Sequence, residues 1–273
     1  MKRAGKLIFI SFVLIFLYAP ILVLIFYSFT GSTTIGAVRG FSLGNYVTLF
    51  TTPELRDMIT GTVALAVGAA ALATVLGTMG AIGSFYSSRK AGTFINSLNQ
   101  VPVINADVVT GFSICILLVV VLGVSKDTFV PLVIGHVVLC APFVYLSVIP
   151  KLKQMDPSIY EAALDLGAAP GTALRKIVLP QISSGIISGF ALAITLSLDD
   201  YFIATYTKPA TFDTISTYVV NATKGAQTHI KTALWALSAV IFVIVVAIVA
   251  AVNLRAAYSE KNTKTEMGGR TDL

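Results

Sequence analysis

Charged side chains are scarce in this sequence. Asp, Glu, Lys and Arg make up 12% of its 273 residues, whereas hydrophobic residues make up 56%. A soluble domain usually carries about 25% charged residues. The deficit excludes an ordinary soluble domain and indicates that most of the chain faces lipid or other apolar helices.

Cysteine and histidine are also rare, with two residues of each. Cys115 and Cys140 both fall inside apolar stretches, which favours inert buried thiols over a disulfide framework. The histidines, His136 and His229, lie far apart, and neither belongs to a cluster of metal ligands or to a catalytic constellation. We therefore predict that this chain binds no metal or cofactor and is not an enzyme. His136 is expected to satisfy a neighbouring helix.

A phosphate-binding loop is missing as well. No stretch matches G-x-x-x-x-G-K-[ST], and the only Gly-Lys pair, Gly5-Lys6, is followed by Leu7. That loop holds phosphates with its backbone N–H groups and its lysine. The chain is therefore not expected to bind ATP itself.

Six windows without a charged residue are present instead. They are 7–38, 58–88, 108–125, 128–150, 177–198 and 232–254. A spanning helix needs about 20 mostly apolar residues, so the windows predict an all-α membrane protein with six transmembrane helices. The first window follows a basic N-terminus, as a signal peptide does, but its apolar run exceeds the roughly 7–15 residues of a signal core. A retained helix is favoured.

The distribution of basic residues predicts the orientation. With a cytoplasmic N-terminus, the inner segments carry 13 of the 19 Lys and Arg residues and the outer segments carry 6. Lys and Arg concentrate in cytoplasmic loops, so both termini are predicted to be cytoplasmic. The same loops account for the net charge of +6 without a nucleic-acid partner.

Three regions are predicted along the chain. Residues 1–57 hold the first transmembrane helix and an outer loop, 30–57, which is long enough for a short surface helix. Residues 58–256 form a five-helix core. Residues 257–273 form a polar cytoplasmic tail that is predicted to be disordered. No internal repeat is evident, which argues against a transporter built from inverted repeats.

A polar segment, 156–180, interrupts the apolar pattern between the fourth and fifth windows. Asp156 and Pro157 predict a helix start, with a carboxylate N-cap and a proline at the first helical position. A Ser-x-x-Glu capping box just inside it is an alternative start. Gly167 is expected to end this helix. A second short helix, 172–179, follows, and the proline after it marks entry to the fifth span.

The first helix of this segment carries both an apolar stripe and acidic residues. The stripe follows helical spacing and comprises Ile159, Ala162, Ala163 and Leu166. Glu161 and Asp165 form a like-charge pair at i and i+4, which Arg175 and Lys176 or a basic patch on another protein would relieve. A helix of about ten residues is marginal alone. It therefore needs a surface to pack against. From spacing alone, the inner leaflet of the membrane and a partner protein are equally good candidates for that surface.

The stretch EAALDLGAAPGTALRKIVLP resembles the EAA loop of ABC-importer permeases. The motif has EAA, three residues, a glycine and a closing I-x-LP, here at Glu161, Ala162, Ala163, Gly167, Ile177, Leu179 and Pro180. In that family the short helix docks into a cleft of the cytoplasmic ATPase. The resemblance covers roughly residues 58–256. It implies ATPase coupling by Tyr160, Glu161, Ala162, Ala163, Asp165, Gly167 and Pro180.

Two other stretches resemble sequences of the spermidine/putrescine permease group. Transporters of this group have two permease chains, and the resemblance is to the second. They are GHVVLCAPFV (135–144) and LSLDDYFIATYT (196–207). The resemblance implies the ABC type I importer permease fold in the bacterial cytoplasmic membrane. It also implies a second permease chain, two ATPase subunits that hold ATP and Mg²⁺, and an extracytoplasmic substrate-binding protein. One departure is the third span, where Ala106 replaces the expected proline before Asp107. Asp107 is expected to cap that span or to serve in gating.

Two adjacent acidic residues, Asp199 and Asp200, follow the apolar window of the fifth span. A carboxylate at the centre of a membrane helix costs about 2.5–3.5 kcal/mol, and less near its end, so two adjacent acids are not expected to face lipid. The fifth helix is predicted to run through both toward Thr205. Successive residues of a helix point about 100° apart, so one acid alone can face a pathway, and the sequence leaves open which one.

Aromatic residues follow the acid pair. Carboxylates and aromatic faces both attract ammonium groups, so the pair and Tyr201, Phe202 and Tyr206 suit a polyamine pathway. The alternatives are a salt bridge to Lys208 or solvated acids at the outer interface.

Three functions remain open at this point. The first is a polyamine importer subunit. The second is the same machine moving ferric ion or an oxyanion, although an anion carrier would be expected to show Arg or Lys at the acid pair. The third is a secondary transporter or membrane enzyme, with which no ATPase would co-purify.

Overall fold

The computed structural model describes residues 2–31, 40–224 and 232–243. These residues form two compact units. One comprises Met1–Arg56 and Ala222–Leu273, and the other comprises Asp57–Asn221. Apart from an isolated bridge between Thr30 and Phe41, the regular structure described is helical. The predicted all-α class is confirmed.

Thirteen helices are described. They are α1 Lys2–Ser28, α2 Gly44–Thr51, α3 Pro53–Tyr86, α4 Arg89–Ile104, α5 Asp107–Cys115, α6 Val130–Gln154, α7 Pro157–Asp165, α8 Pro170–Ala173, α9 Leu179–Gln181, α10 Ser183–Asp199, α11 Phe202–Thr207, α12 Ile215–Lys224 and α13 Thr232–Val243. Two π-helical segments add to these. Ile116–Val121 continues α5, and Leu174–Val178 joins α8 to α9.

Among the described residues, three helices are each long and apolar enough to cross a membrane. They are Ile8–Ser28, Pro53–Tyr86 and Val130–Gln154. Two bent helix pairs are long and apolar enough to cross only if each pair forms a single span. They are Arg89–Ile104 with Asp107–Val121, and Pro170–Gln181 with Ser183–Asp199. The sixth predicted window, 232–254, is described only to Val243, as the apolar helix α13. These spans make the chain a multi-pass membrane protein. The count of six transmembrane helices stays a prediction.

The third span differs from its prediction. The window 108–125 missed α4, which precedes α5 and meets it at an angle of 104°. The chain turns at Asn105, whose Nδ2 donates to Thr110 Oγ1 at 3.0 Å. The expectation that Asp107 caps this helix is wrong, because the N-cap is Ala106 and no side chain caps it. Asp107 is instead the first residue of α5.

The core of the unit Asp57–Asn221 is built around α6. Val144, Val148 and Leu152 on this helix are fully buried. Glycines allow the flanking helices to approach closely. A Cβ at Gly77 of α3 would lie 2.7 Å from the Ala141 carbonyl oxygen, and one at Gly185 of α10 would lie 2.9 Å from that of Ser147. Small residues at such crossings give close packing between membrane helices.

In the other unit, α2 is held against the end of α1. Asn45 is buried, and its Nδ2 donates to the carbonyl oxygens of Ser28 at 3.0 Å and Thr30 at 3.1 Å. The segment 30–57, which is long enough for a short helix, therefore contains one. α13 contacts α1 through the rings of Trp235 and Tyr27, whose centroids lie 5.6 Å apart.

Candidate functional site

The polar insert contains the predicted first helix, with both predicted end signals. Asp156 is the N-cap of α7, and its Oδ1 accepts the N–H of Ser158 at 3.0 Å. This hydrogen bonding lowers the pKa of the exposed Asp156 carboxyl below its ordinary value. The capping-box alternative is not the start observed.

The C-terminus of α7 is closed by backbone geometry. Gly167 adopts a φ of +86°, a conformation that favours glycine. Its N–H donates to Leu164 O at 2.9 Å, and the N–H of Ala168 donates to Ala163 O at 3.0 Å. These two bonds form a Schellman motif. Gly167 therefore ends the helix as predicted.

The predicted apolar stripe of α7 is not the face that packs on this chain. Ala163 is buried, but Ile159 is 41% exposed and Leu166 is 90% exposed. The inner face is fixed by Tyr160, whose ring lies 4.8 Å from that of Tyr86 at the end of α3. The exposed side of α7 consequently presents Ile159, Glu161, Ala162, Asp165 and Leu166.

The basic residues of the insert do not pair with its acids. Within the described part of the chain, Lys208 pairs with Asp213, and the His136 ring lies 3.7 Å from Asp200. Neither involves Glu161 or Asp165, which leaves the like-charge pair of α7 unrelieved by Arg175 or Lys176.

The second helix of the insert starts earlier than predicted and is irregular. α8 begins at Pro170, whose missing N–H costs nothing at the first helical position. A π-helical segment follows, and Pro180 lies in the short helix α9. A bend of 70° separates Pro170–Gln181 from Ser183–Asp199, so Pro180 lies just before the bend that leads into α10.

The acid pair lies at a break in the fifth span. The prediction of a continuous helix through Asp200 toward Thr205 is wrong, because α10 ends at Asp199 and α11 begins at Phe202. Asp200 turns inward and accepts the N–H of Ala204 at 2.7 Å and that of Ile203 at 3.2 Å. Its two oxygens thus hold the first turn of α11, which explains the break.

Asp200 also faces the lone histidine of the fourth span. His136 is fully buried, and its Nε2 lies 3.7 Å from Asp200 Oδ2. Its Nδ1 lies 2.9 Å from Leu132 O. His136 therefore stands opposite another helical segment, as expected for a polar residue inside a membrane helix. The residues that the structure describes contain no group of three or more His, Cys, Asp or Glu side chains able to hold a metal.

Asp199 and Asp200 have opposite environments. Asp199 is exposed at the end of α10, whereas Asp200 is 8% exposed. Phe202 is exposed, and Tyr201 and Tyr206 are half-buried. Of the two acids, Asp199 is the one with a free approach from outside this unit.

The aromatic residues do not form one cluster with the acids. Tyr201 and Phe202 lie edge to face at 5.2 Å, whereas Tyr206 contacts Phe112 of α5 at 5.7 Å. The alternative of a bridge from the acid pair to Lys208 is not observed, because Lys208 Nζ lies 3.0 Å from Asp213 Oδ1.

Sequence reasoning missed the contact between His136 and Asp200. These residues are far apart in the chain, and spacing does not join them. A signal was present nonetheless, because an ionisable residue within an apolar span requires a partner. A lone histidine in one span and an acid at the end of the next are the obvious candidates.

Most of this helical chain matches one known family. Residues 73–264 match the family described as the binding-protein-dependent transport system inner membrane component. The chain belongs to this family. It is therefore an inner-membrane transport subunit, part of a system that also contains a binding protein, and not an enzyme.

Two relatives of this permease are informative. This chain is 36% identical over 200 residues to the putrescine transport system permease protein PotI of Escherichia coli strain K12, and the match covers 70% of each chain. It is 30% identical over 213 residues to the spermidine/putrescine transport system permease protein PotC of Haemophilus influenzae, covering 78% of this chain and 82% of the relative.

The fold of the permease is shared with solved transporters. A bacterial ABC transporter involved in the import of the acidic polysaccharide alginate matches with a TM-score of 0.70 at 20% identity, over 93% of this chain and 95% of that one. An amino acid ABC transporter matches with a TM-score of 0.54. These matches confirm the predicted ABC importer permease fold.

Proposed function

We propose that this chain is a permease subunit of an ATP-driven polyamine importer, with both termini in the cytoplasm. The observation that carries the proposal is the two-sided character of α7. Its inner side is anchored through Tyr160, while its outer side leaves Leu166 90% exposed. A cytosolic helix with one fixed face and one uncovered apolar and acidic face suits docking to a partner protein.

The proposed partner for α7 is an ATPase subunit. Glu161 and Asp165 lack a basic partner in the described chain, so a basic cleft on another protein would relieve their repulsion. The proposed complex contains a second permease chain, two ATPase subunits that bind ATP and Mg²⁺, and an extracytoplasmic substrate-binding protein. Closure of the ATPases would move the docked helices and shift the spans between inward-open and outward-open states.

The cargo is proposed from chemistry and from the relatives. PotI and PotC are named for putrescine and for spermidine/putrescine transport. Asp199 is an exposed carboxylate followed by the half-buried Tyr201 and exposed Phe202. A carboxylate next to aromatic rings attracts ammonium groups. A permease for ferric ion or an oxyanion is the less favoured alternative.

Charge reversal on α7 tests the docking. The substitution Glu161→Lys should abolish both co-purification of the ATPase and uptake of radiolabelled spermidine and putrescine in a strain lacking the native permease. Asp127→Lys makes the same charge change at an exposed loop residue outside the insert and serves as the control. Normal assembly and uptake in Glu161→Lys would refute the docking role.

The cargo is tested separately. Asp199→Asn should reduce uptake of spermidine and putrescine while leaving the ATPase bound, because the change removes a charge without altering the insert. Unchanged uptake by Asp199→Asn would remove the structural reason for a polyamine. Cysteine introduced at the exposed Ala162 or Leu166, rather than at buried Ala163, is the suitable crosslinking site for capturing the ATPase.

A further inference from the structure

Helices α3, α4 and α6 enclose a groove whose lining includes neither the polar insert nor the acid pair of the fifth span. It consists of two adjoining cavities of about 320 Å³ each. Tyr145 of α6 lines both and stands at their junction. Its hydroxyl donates to Ser84 Oγ at 2.9 Å, so the ring is held in place.

The first cavity is apolar. Its walls include Leu76 and Gly80 of α3, Ile95 and Leu98 of α4, and Pro142 of α6. Leu76 and Leu98 are more than half exposed, so the cavity opens sideways rather than being sealed within the fold. A hydrocarbon chain can occupy such a space without displacing any polar partner.

The second cavity is polar and basic. It lies further along the same three helices, at the turn between α3 and α4 and near the end of α6. Arg89 and Lys153 line it together with Ser87, Thr93 and Asn96. No carboxylate is among the lining residues described. This end therefore favours an anion.

The walls of the groove are held together at several points. Gly92 of α4 approaches α3 so closely that a Cβ there would lie 2.8 Å from Ser84 O. Asn99 Nδ2 donates to Pro142 O at 3.3 Å and joins α4 to α6. The groove is consequently a feature of the folded unit rather than a gap between loose helices.

We propose that this groove binds one anionic phospholipid, with an acyl chain along the apolar part and the phosphate headgroup at Arg89 and Lys153. From Leu76 to Phe85 the groove follows α3 for 9 residues, about 14 Å at 1.5 Å per residue. One leaflet contributes about half of the roughly 30 Å hydrocarbon core. The groove thus matches a single acyl chain plus its headgroup. Basic pockets between transmembrane helices have the charge needed for anionic lipid headgroups.

Removal of the basic end is the first test. The complete transporter is placed in phosphatidylcholine nanodiscs with added phosphatidylglycerol, and retained lipid is counted by native mass spectrometry after detergent extraction. The double variant Arg89→Gln, Lys153→Gln should weaken phosphatidylglycerol retention roughly 10-fold or more, since each basic group near an anionic surface contributes about a factor of five. Lys90→Gln with Lys151→Gln removes the same charge from residues that do not line the groove and should change retention little.

Filling the apolar end is the second test, and it separates a lipid from a free phosphate ion. Gly80 lines the groove, and a Cβ there would meet only Tyr145 Cδ2, at 3.7 Å. Gly80→Leu should therefore fit and displace the acyl chain. Gly83→Leu, on the same helix with open space at its Cβ, is the matched control. Loss of phosphatidylglycerol with Gly80→Leu alone supports a lipid, whereas unchanged retention overturns the acyl-chain assignment.

Wild-type protein provides a test that does not depend on variants folding. Phosphatidylglycerol with a photoactivatable acyl chain should label peptides from α3 and α4 that line the groove. Labelling confined to other helices would overturn the proposal, as would a crosslink of Leu98 to the second permease chain in place of lipid. Equal lipid retention in the Arg89/Lys153 and Lys90/Lys151 variants would also overturn it.

Discussion

Asp156 and Asp200 both cap the start of a helix, but Asp156 is exposed and Asp200 is buried. Each accepts N–H groups from the first turn of the helix that follows it. Asp156 is exposed in the insert, where water replaces its hydrogen bond when the side chain is removed. Asp200 is 8% exposed beside His136, where little water can reach to replace its bonds. We therefore expect burial, rather than bond geometry, to decide how much a capping carboxylate contributes to stability.

The largest expected effect is that of Asp200→Ala. It leaves the N–H groups of Ile203 and Ala204 without their acceptor in a buried position, and each such loss costs about 1–3 kcal/mol. We expect a marked fall in the thermal stability of the purified permease and in its yield. Asp199→Ala removes an exposed neighbour and is the control. Similar losses in both variants would contradict the buried capping role.

His136→Gln should have the next largest effect. It removes the basic ring that faces Asp200 but keeps both N–H bonds to the Asp200 carboxylate. Residues in contact usually show coupling energies of about 0.5–3 kcal/mol. A double-mutant cycle of His136→Gln with Asp200→Asn, read by thermal unfolding, should therefore be non-additive. Additive changes would show that the 3.7 Å approach contributes nothing.

Gly167→Ala probes the other end of the exposed helix. A left-handed conformation costs a residue with a Cβ roughly 1–2 kcal/mol, so the C-terminus of α7 should fray. Gly167→Asn should be milder, because asparagine tolerates this conformation. Faster hydrogen exchange at the amide of Ala168, which donates to Ala163 O, is the expected readout. Equal exchange in the alanine variant and wild type would refute the need for glycine.

The smallest expected effect is the pH dependence of the Asp156 cap. Its pKa is lowered in the fold, so its stabilisation is present above the ordinary carboxyl range and is lost as the pH falls through the lowered value. Amide exchange at Ser158, corrected for its intrinsic pH dependence, should show weaker protection on acidification. Asp156→Asn should abolish this response, and a response that persists in the variant would assign it to another group.

The ends of α7 were predictable because their signals are local. The carboxylate and proline at Asp156-Pro157 and the glycine at Gly167 act within one turn of the helix, and the structure uses both. The surface that covers the apolar stripe stayed open for the same reason. Spacing identifies a stripe, but it does not say whether this chain or a partner covers it.

The break at Asp200 was not predictable from pattern. An acid that continues a helix and an acid that caps the next one look alike in sequence. The distinction depends on the Asp200 carboxylate accepting the N–H groups of Ile203 and Ala204, a geometry that exists only in the folded chain. The bend between α4 and α5 is similar, since Asn105 and Ala106 carry no proline to mark it.

The glycine contacts on both flanks of α6 bear on how this permease moves. Because Gly77 and Gly185 bring the backbones of α3 and α10 against α6, sliding at either seam would drive main-chain atoms together. We expect these three helices to travel as a single block during transport. The bends at Asn105 and Ile182 would then act as hinges, about which α5 and the helices of the insert move relative to this block.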